Sequence, residues 1–219
     1  MRWNVLHSRE LADAHNALPD STRQAGAILV MPSTDEAMAL RAAKQMSGRA
    51  GVEDALVLVV LDDEREGFIE LANRAYRATC STFFGYTAQD AFAGRRWLAL
   101  AQQALTQRNK GFFGFNDGKW AGLLASFGLG RRVWLDQHYD GDLFFPGYTQ
   151  HYADTELTML AMGNGQYCHD PHAVLIEVDW DKETRPRPVN PFDKLLYAQR
   201  KTGWLRAHVA QPDCLELFQ

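Results

Sequence analysis

The sequence predicts an α/β fold with a mostly parallel central sheet flanked by helices. Three observations predict it. Ala55-Leu56-Val57-Leu58-Val59-Val60-Leu61 is apolar at every position, the mark of a strand covered on both faces. Neighbouring stretches repeat their apolar residues at helical spacing. Strand and helix signals alternate from residue 25 to residue 115, as expected of a parallel sheet with helical crossovers.

Taken in order, residues 1–24 are polar and mixed, with Pro19-Asp20-Ser21 as a turn signal, and read as a lead-in segment. Ala25-Gly26-Ala27-Ile28-Leu29-Val30-Met31 is a short buried strand stopped by Pro32. Ser33-Thr34-Asp35 can cap a helix with Ala39, Ala42, Ala43 and Met46 on its inner face, ended by Gly48 and Gly51. The strand over 55–61 follows and stops at Asp62-Asp63-Glu64. Phe68, Leu71, Ala72 and Ala75 mark the next helix, and Ser81-Thr82-Phe83-Phe84-Gly85-Tyr86 the third strand. Trp97, Ala101, Ala104 and Leu105 mark a third helix, and Gly111-Phe112-Phe113-Gly114-Phe115 a fourth strand. Residues 128–152 are then rich in Gly, Asp, His and aromatics. A short helix over 153–162 turns Leu157, Leu160 and Ala161 inward, and a strand spans 173–178. Two prolines make Thr184-Arg185-Pro186-Arg187-Pro188 a loop, and residues 192–202 form a final helix.

Of 219 residues, 46% are hydrophobic and 23% charged, enough apolar material for one core and too much for a disordered chain. Lys and Arg number 23 against 27 Asp and Glu, leaving a net charge of −4, which argues against a protein held mainly by nucleic-acid phosphates. No apolar run approaches the ~18–20 residues that cross a bilayer. The N-terminus lacks the apolar core of a signal peptide. Cys80, Cys168 and Cys214 are far apart and include no Cys-x-x-Cys pair, which argues against a zinc knuckle or disulfide framework. The expectation is a reduced cytoplasmic protein, one able to visit a membrane surface.

Ligands of an open parallel sheet bind beyond the carboxyl ends of its strands. That rule selects Pro32-Ser33-Thr34, Asp62-Asp63 and Thr87-Ala88-Gln89-Asp90. The glycine patterns of classical dinucleotide and P-loop sites are absent. Asp62 and Asp63 either meet water at a strand end or accept hydrogen bonds from a nucleobase or ribose. Asp90 either caps a turn or supplies an oxygen ligand to Mg²⁺ or Mn²⁺ on a diphosphate. Asp154, in His151-Tyr152-Ala153-Asp154-Thr155-Glu156-Leu157, stands at a helix start, where it can serve as a cap or as a general base. His169-Asp170-Pro171-His172, with Glu177 and Asp179 following, invites a metal reading but matches no zinc spacing.

Together these landmarks, over residues 25–180, resemble the inverting GT-A glycosyltransferases of family two. Val30-Met31-Pro32-Ser33-Thr34 resembles the family's opening strand, whose end meets the nucleobase, and Leu58-Val59-Val60-Leu61-Asp62-Asp63 its second, which ends in a nucleotide-binding aspartate. Leu71-Ala72-Asn73-Arg74-Ala75 resembles the Asn-containing helix that follows. Phe84-Gly85-Tyr86-Thr87-Ala88-Gln89-Asp90, with Trp97-Leu98 beyond it, sits where the family carries its Asp-x-Asp metal motif. Ala153-Asp154-Thr155-Glu156-Leu157, followed by Gly163 and Gly165, resembles the segment whose aspartate is the catalytic base. Ala88 and Ala153 depart from the family, replacing an aspartate and a glutamate. The family's late histidine has its nearest counterparts in His172 and Glu177.

The resemblance implies a single GT-A-like, Rossmann-like domain over 25–180. Its nucleotide half spans about 25–115 and its acceptor half about 116–180, followed by a loop and helix over 181–219. It implies sugar transfer with inversion from a nucleotide-sugar donor, expected as a UDP-sugar, to a hydroxyl of a carbohydrate such as a surface polysaccharide, or of another acceptor. Asp154 and Glu156 are its catalytic carboxylates. Pro32, Ser33, Asp62, Asp63 and Asp90 are its donor-binding residues. Asp90 and His172 are its ligands for a divalent cation, with Arg95 or Arg96 as helpers at the diphosphate. A chain this short for the family can also work with a partner protein or as a homo-oligomer. The alternatives are a catalytically silent GT-A-like binding or scaffold protein, and a metal-dependent hydrolase built on His151, His169 and His172. A nucleotidyltransferase is disfavoured by the acidic Pro32-Ser33-Thr34-Asp35-Glu36, where a basic loop is expected.

Overall fold

The two continuous apolar runs become the middle of a sheet. The computed structural model describes residues 1–11, 18–178 and 188–217. Its strands are β1 (Arg2–His7), β2 (Ala27–Ser33), β3 (Ala55–Leu61), β4 (Phe83–Tyr86), β5 (Ala91–Ala93), β6 (Phe112–Asn116), β7 (Gly128–Arg131) and β8 (Tyr167–Glu177). Its helices include α1 (Ser8–Leu11), α2 (Asp20–Arg23), α3 (Glu36–Arg49), α4 (Phe68–Arg77), α5 (Trp97–Gln107), α6 (Arg132–Leu135), α7 (Ala153–Gly163) and α8 (Pro191–Arg200). The strand order is β1-β3-β2-β4-β7-β6-β8-β5.

Every residue of β3 is buried, because alternate side chains enter two different cores. Leu56, Leu58 and Val60 join Ile28 and Val30 under α4 and α7, whereas Val57 and Val59 join Leu29 and Met31 under α3 and α5. The cap of α3 is as the sequence predicts: Asp35 accepts the Met38 N–H at 2.9 Å. Gly48 lies inside that helix, and Gly51, at φ +76°, makes the turn after it.

The sheet is mixed. β1, β3, β2 and β4 pair in parallel, as do β6 and β8, but β7 runs antiparallel between β4 and β6, and β5 runs antiparallel to β8. The lead-in 1–24 is more than an approach segment, since β1 lies beside β3 from Arg2↔Leu56 to His7↔Leu61. Its polar residues suit an edge strand, which is why no apolar run announces it. Pro32 does not stop β2. The alternation of parallel pairing turns its missing N–H toward β4, which has already ended at Tyr86. β7 escapes the sequence pattern because two of its four residues are glycines. A Cβ on Gly128 would lie 2.6 Å from the Phe112 ring, and one on Gly130 2.7 Å from Leu135, so neighbouring side chains fill the space that its own would take. β8 starts at Tyr167 rather than at 173, its polar His169-Asp170-Pro171-His172 stretch lying at a register shift against β6. Asp179 and residues 184–187 of the loop predicted at 184–188 lie outside the described residues.

Candidate active site

β2, β3 and β4 end at one edge of the sheet, and there a cleft of about 490 Å³ opens. Phe68 enters it from the start of α4, Ala88 from the loop after β4, Ser126 from the approach to β7, Asp154 from the first turn of α7, and Glu177 from the end of β8. Phe68, Tyr86 and Phe144 form an aromatic wall, with Tyr86 and Phe144 in edge contact at 4.9 Å. Asn73, fully buried on α4, fixes that wall by accepting from the Phe144 N–H at 2.9 Å and donating to the Phe144 carbonyl at 3.0 Å.

Asp154 and Glu177 are the carboxylates among the described residues that line the cleft. Tyr152, just before α7, is held at φ +69°, a left-handed conformation costly for a tyrosine, and its ring stacks on Tyr197 at 4.9 Å. The helix then begins with Asp154 facing the cleft. Its Oδ1 accepts the Thr155 N–H at 2.7 Å. Burial raises the proton affinity of this carboxyl above that of an ordinary aspartate, although the Thr155 N–H and hydroxyl and the nearby His151 pull the other way. A carboxylate that holds a proton more tightly is a stronger base at neutral pH.

Glu156 faces elsewhere. Two residues along a helix turn a side chain through about 200°, and Glu156 points into the interior, fully buried. Its carboxylate takes Arg200 at 2.7 and 2.8 Å and the Tyr148 hydroxyl at 2.7 Å. It ties α8 to α7 and does not line the cleft.

Asp193 of α8 is another buried carboxylate, and the sequence does not single it out. It is 1% exposed and accepts the N–H groups of Thr149, Gln150 and His151 at 3.0, 2.8 and 2.9 Å, shaping the loop that leads into α7. Asn190-Pro191-Phe192-Asp193 looks like an ordinary helix start, and Asn190 does cap it, so nothing local shows that Asp193 serves a distant loop. Burial works to raise its carboxyl, but the N–H groups of His151, Gln150 and Thr149 outweigh it and hold the group below the ordinary aspartate value. A depressed carboxyl stabilises the fold above its unfolded value, about 3.9, and loses that contribution as pH falls through the folded value. Asp193→Asn should therefore cost about 1.5–3 kcal/mol at neutral pH. In urea titrations across pH the gap from the parent should close in acid; a constant gap would remove the linkage.

The strand-end residues are largely occupied by the protein itself. Ser33 is buried and donates its hydroxyl to the Met31 carbonyl at 2.9 Å, while Pro32 is half-buried. Gln89 Oε1 accepts the Thr34 and Asp35 N–H groups at 2.8 and 3.0 Å. Asp62 accepts from the Glu66 and Gly67 N–H groups at 2.8 and 3.0 Å, setting the loop that delivers Phe68. Asp63 is exposed and pairs with His7 of β1 at 2.9 Å.

Ala88 faces the cleft, but Asp90 lines a separate hollow against Met38, Arg41 and Gln45 of α3. His172 is exposed on β8, five residues and roughly 16 Å along the strand from Glu177, the partner of Ala91, at ~3.3 Å per residue. Asp90 and His172 are therefore not brought together. Among the described residues, no three His, Cys, Asp or Glu side chains are placed to hold a metal ion. The residues present do not fit a cation held by the protein alone. The histidine group of the hydrolase alternative does not assemble either: His151 lines the cleft, while His169 bonds the Gly114 carbonyl at 2.9 Å. Arg95 and Arg96 are exposed ahead of α5 and do not line the cleft.

No protein-family model matches this sequence, and no curated protein matches it either. Among solved structures, the chain superposes on mannosyltransferase PcManGT from Pyrobaculum calidifontis, in complex with GDP-Man and Mn²⁺, with a TM-score of 0.53. The likeness covers 95% of this chain and 83% of that one at 17% identity. The fold is that of a glycosyltransferase. TarS of S. aureus, residues 1–349, matches at TM-score 0.46 and 14% identity over 80% of this chain and 59% of that one. No helix among the described residues is long and apolar enough to cross a membrane. Within the glycosyltransferase fold, the cleft and Asp154 lie at the carboxyl edge of the sheet, where open α/β sheets take their ligands.

Proposed function

We propose that this chain transfers a sugar, with inversion, from a nucleotide-sugar donor to an acceptor hydroxyl, with Asp154 as general base. The observation that carries the reading is Asp154 itself, a carboxylate of raised proton affinity at the start of α7, facing the cleft of a glycosyltransferase fold. In the transfer, the acceptor oxygen bonds to the anomeric carbon as the bond from that carbon to the diphosphate oxygen breaks. The acceptor proton passes to Asp154, and the nucleoside diphosphate leaves with the bonding electrons. Alignment of donor and acceptor by the aromatic wall lowers the entropic part of the barrier, and proton removal makes a weak hydroxyl nucleophile competent. Such a reaction runs through an oxocarbenium-like centre. Glu156 supports the helix that presents Asp154.

The donor's nucleoside is assigned to the ends of β2 and β3, where Asp63 is the exposed carboxylate. Asp63→Ala should weaken nucleoside diphosphate binding several-fold by calorimetry without unfolding the chain, because Asp63 makes only a surface contact to His7. Unchanged affinity would move the nucleoside elsewhere. The reading as a whole is tested by incubating the protein with UDP- and GDP-sugars, with and without Mn²⁺, and reading free nucleoside diphosphate. Release that depends on Asp154 supports it. Neither release nor binding of any donor would remove it.

A further inference from the structure

A further hollow, of about 530 Å³, lies at the opposite end of the sheet, where β6 begins and β7 ends. Lys110, Arg131 and His138 line it together with Asn and Gln amides, and no carboxylate does. The Arg131 N–H donates to the Gly111 carbonyl at 2.8 Å, which sets Arg131 beside Lys110. Lys110 Nζ donates to the Gly165 carbonyl at 2.6 Å and Arg131 Nη2 to the Leu105 carbonyl at 2.9 Å. Neither cation pairs with a carboxylate among the described residues. Arg131 Nε and His138 Nε2 are both buried without a hydrogen-bond partner.

Positive charge gathered in a concave hollow attracts anions. A phosphate group offers several acceptor oxygens, which suits an ammonium and a guanidinium side by side. The hollow is larger than one phosphate, and the amides of Asn109 and Gln166 are suited to hydroxyl groups.

We propose that this hollow is a second binding site, remote from the cleft, for the phosphate group of a small phosphorylated ligand, with Lys110 and Arg131 as its charge partners. It does not depend on the reading of the cleft. The test is calorimetry and thermal shift of the full chain at low salt with inorganic phosphate, a hexose 6-phosphate and the unphosphorylated hexose. Saturable binding of phosphate, absent for the hexose, is expected. Tighter binding of the hexose phosphate would identify a phosphorylated metabolite as the ligand, and equal binding free phosphate. Lys110→Ala should weaken binding about tenfold or more, as expected when a charged hydrogen-bond donor is lost, and Arg131→Gln should do the same. Asp154→Asn, in the cleft, should leave it unchanged. No saturable binding, or binding indifferent to Lys110→Ala in a folded variant, overturns the proposal.

Discussion

Asp154→Asn is expected to slow transfer by about 10²–10⁴-fold, the usual cost of losing a general base, while leaving the protein at least as stable as its parent at neutral pH. The two effects share one origin. Burial opposes the charged form of Asp154, so its folded carboxyl titrates above the unfolded value. The sign follows: a raised carboxyl stabilises the fold below its unfolded pKa and loses that contribution as pH rises through the folded value. Above that range the parent carries a buried negative charge that the variant lacks. Asparagine keeps an oxygen to accept the Thr155 N–H, so the first turn of α7 retains its bond. Donor binding should be nearly normal, because the residue acts on the acceptor. The parent's rate should fall as pH drops through the raised carboxyl value, and the variant's residual rate should lack that limb. Transfer near the parent rate would send the search for the base to Glu177, the other carboxylate lining the cleft. A variant less stable than the parent at neutral pH would show that the carboxylate is held by stabilising contacts.

The halves of this site differ in how far the sequence shows them. Asp154 is visible because it stands at a helix start after a Gly-rich aromatic stretch, and because two residues on a helix separate it from Glu156 by more than half a turn. The run 55–61 and its neighbours are visible because burial on both faces leaves no polar position. Hidden features are those held by distant partners. Asp193 bonds a loop some 40 residues earlier in the chain, with |i−j| of 42 to 44, and Arg200 reaches Glu156 at |i−j| of 44. No periodicity carries such a pairing. The strand of Gly128-Leu129-Gly130-Arg131 is silent for a related reason, since its shape answers to Phe112 and Leu135 rather than to its own composition. Asp90 follows a strand end, where the family resemblance implies a metal ligand, but the short β5 that begins immediately after it puts it in a different hollow.

Arg200→Met should have the largest effect on stability, about 3–5 kcal/mol, because it strands a buried charge. Glu156 is fully buried, and Arg200 meets both of its oxygens, at 2.7 and 2.8 Å. Without the guanidinium, the carboxylate keeps the Tyr148 hydroxyl but loses its cation. At ~2–4 °C per kcal/mol for a chain of this size, melting should fall by roughly 6–20 °C. Arg200→Lys should recover little, since the planar guanidinium also lies 3.4 Å from the Phe145 ring centroid and 4.6 Å from that of Trp204, and an ammonium cannot reproduce a two-pronged bond between stacked rings. The double variant Glu156→Leu with Arg200→Met should be more stable than Arg200→Met alone, because it removes the stranded charge along with its partner. The same helix carries Asp193, so loosening α8 should also free the loop 149–151 at the cleft lip and slow transfer without touching Asp154. Melting unchanged in Arg200→Met, or a double variant no better than the single, would mean that the pair is solvated and that α8 is held by its apolar contacts alone.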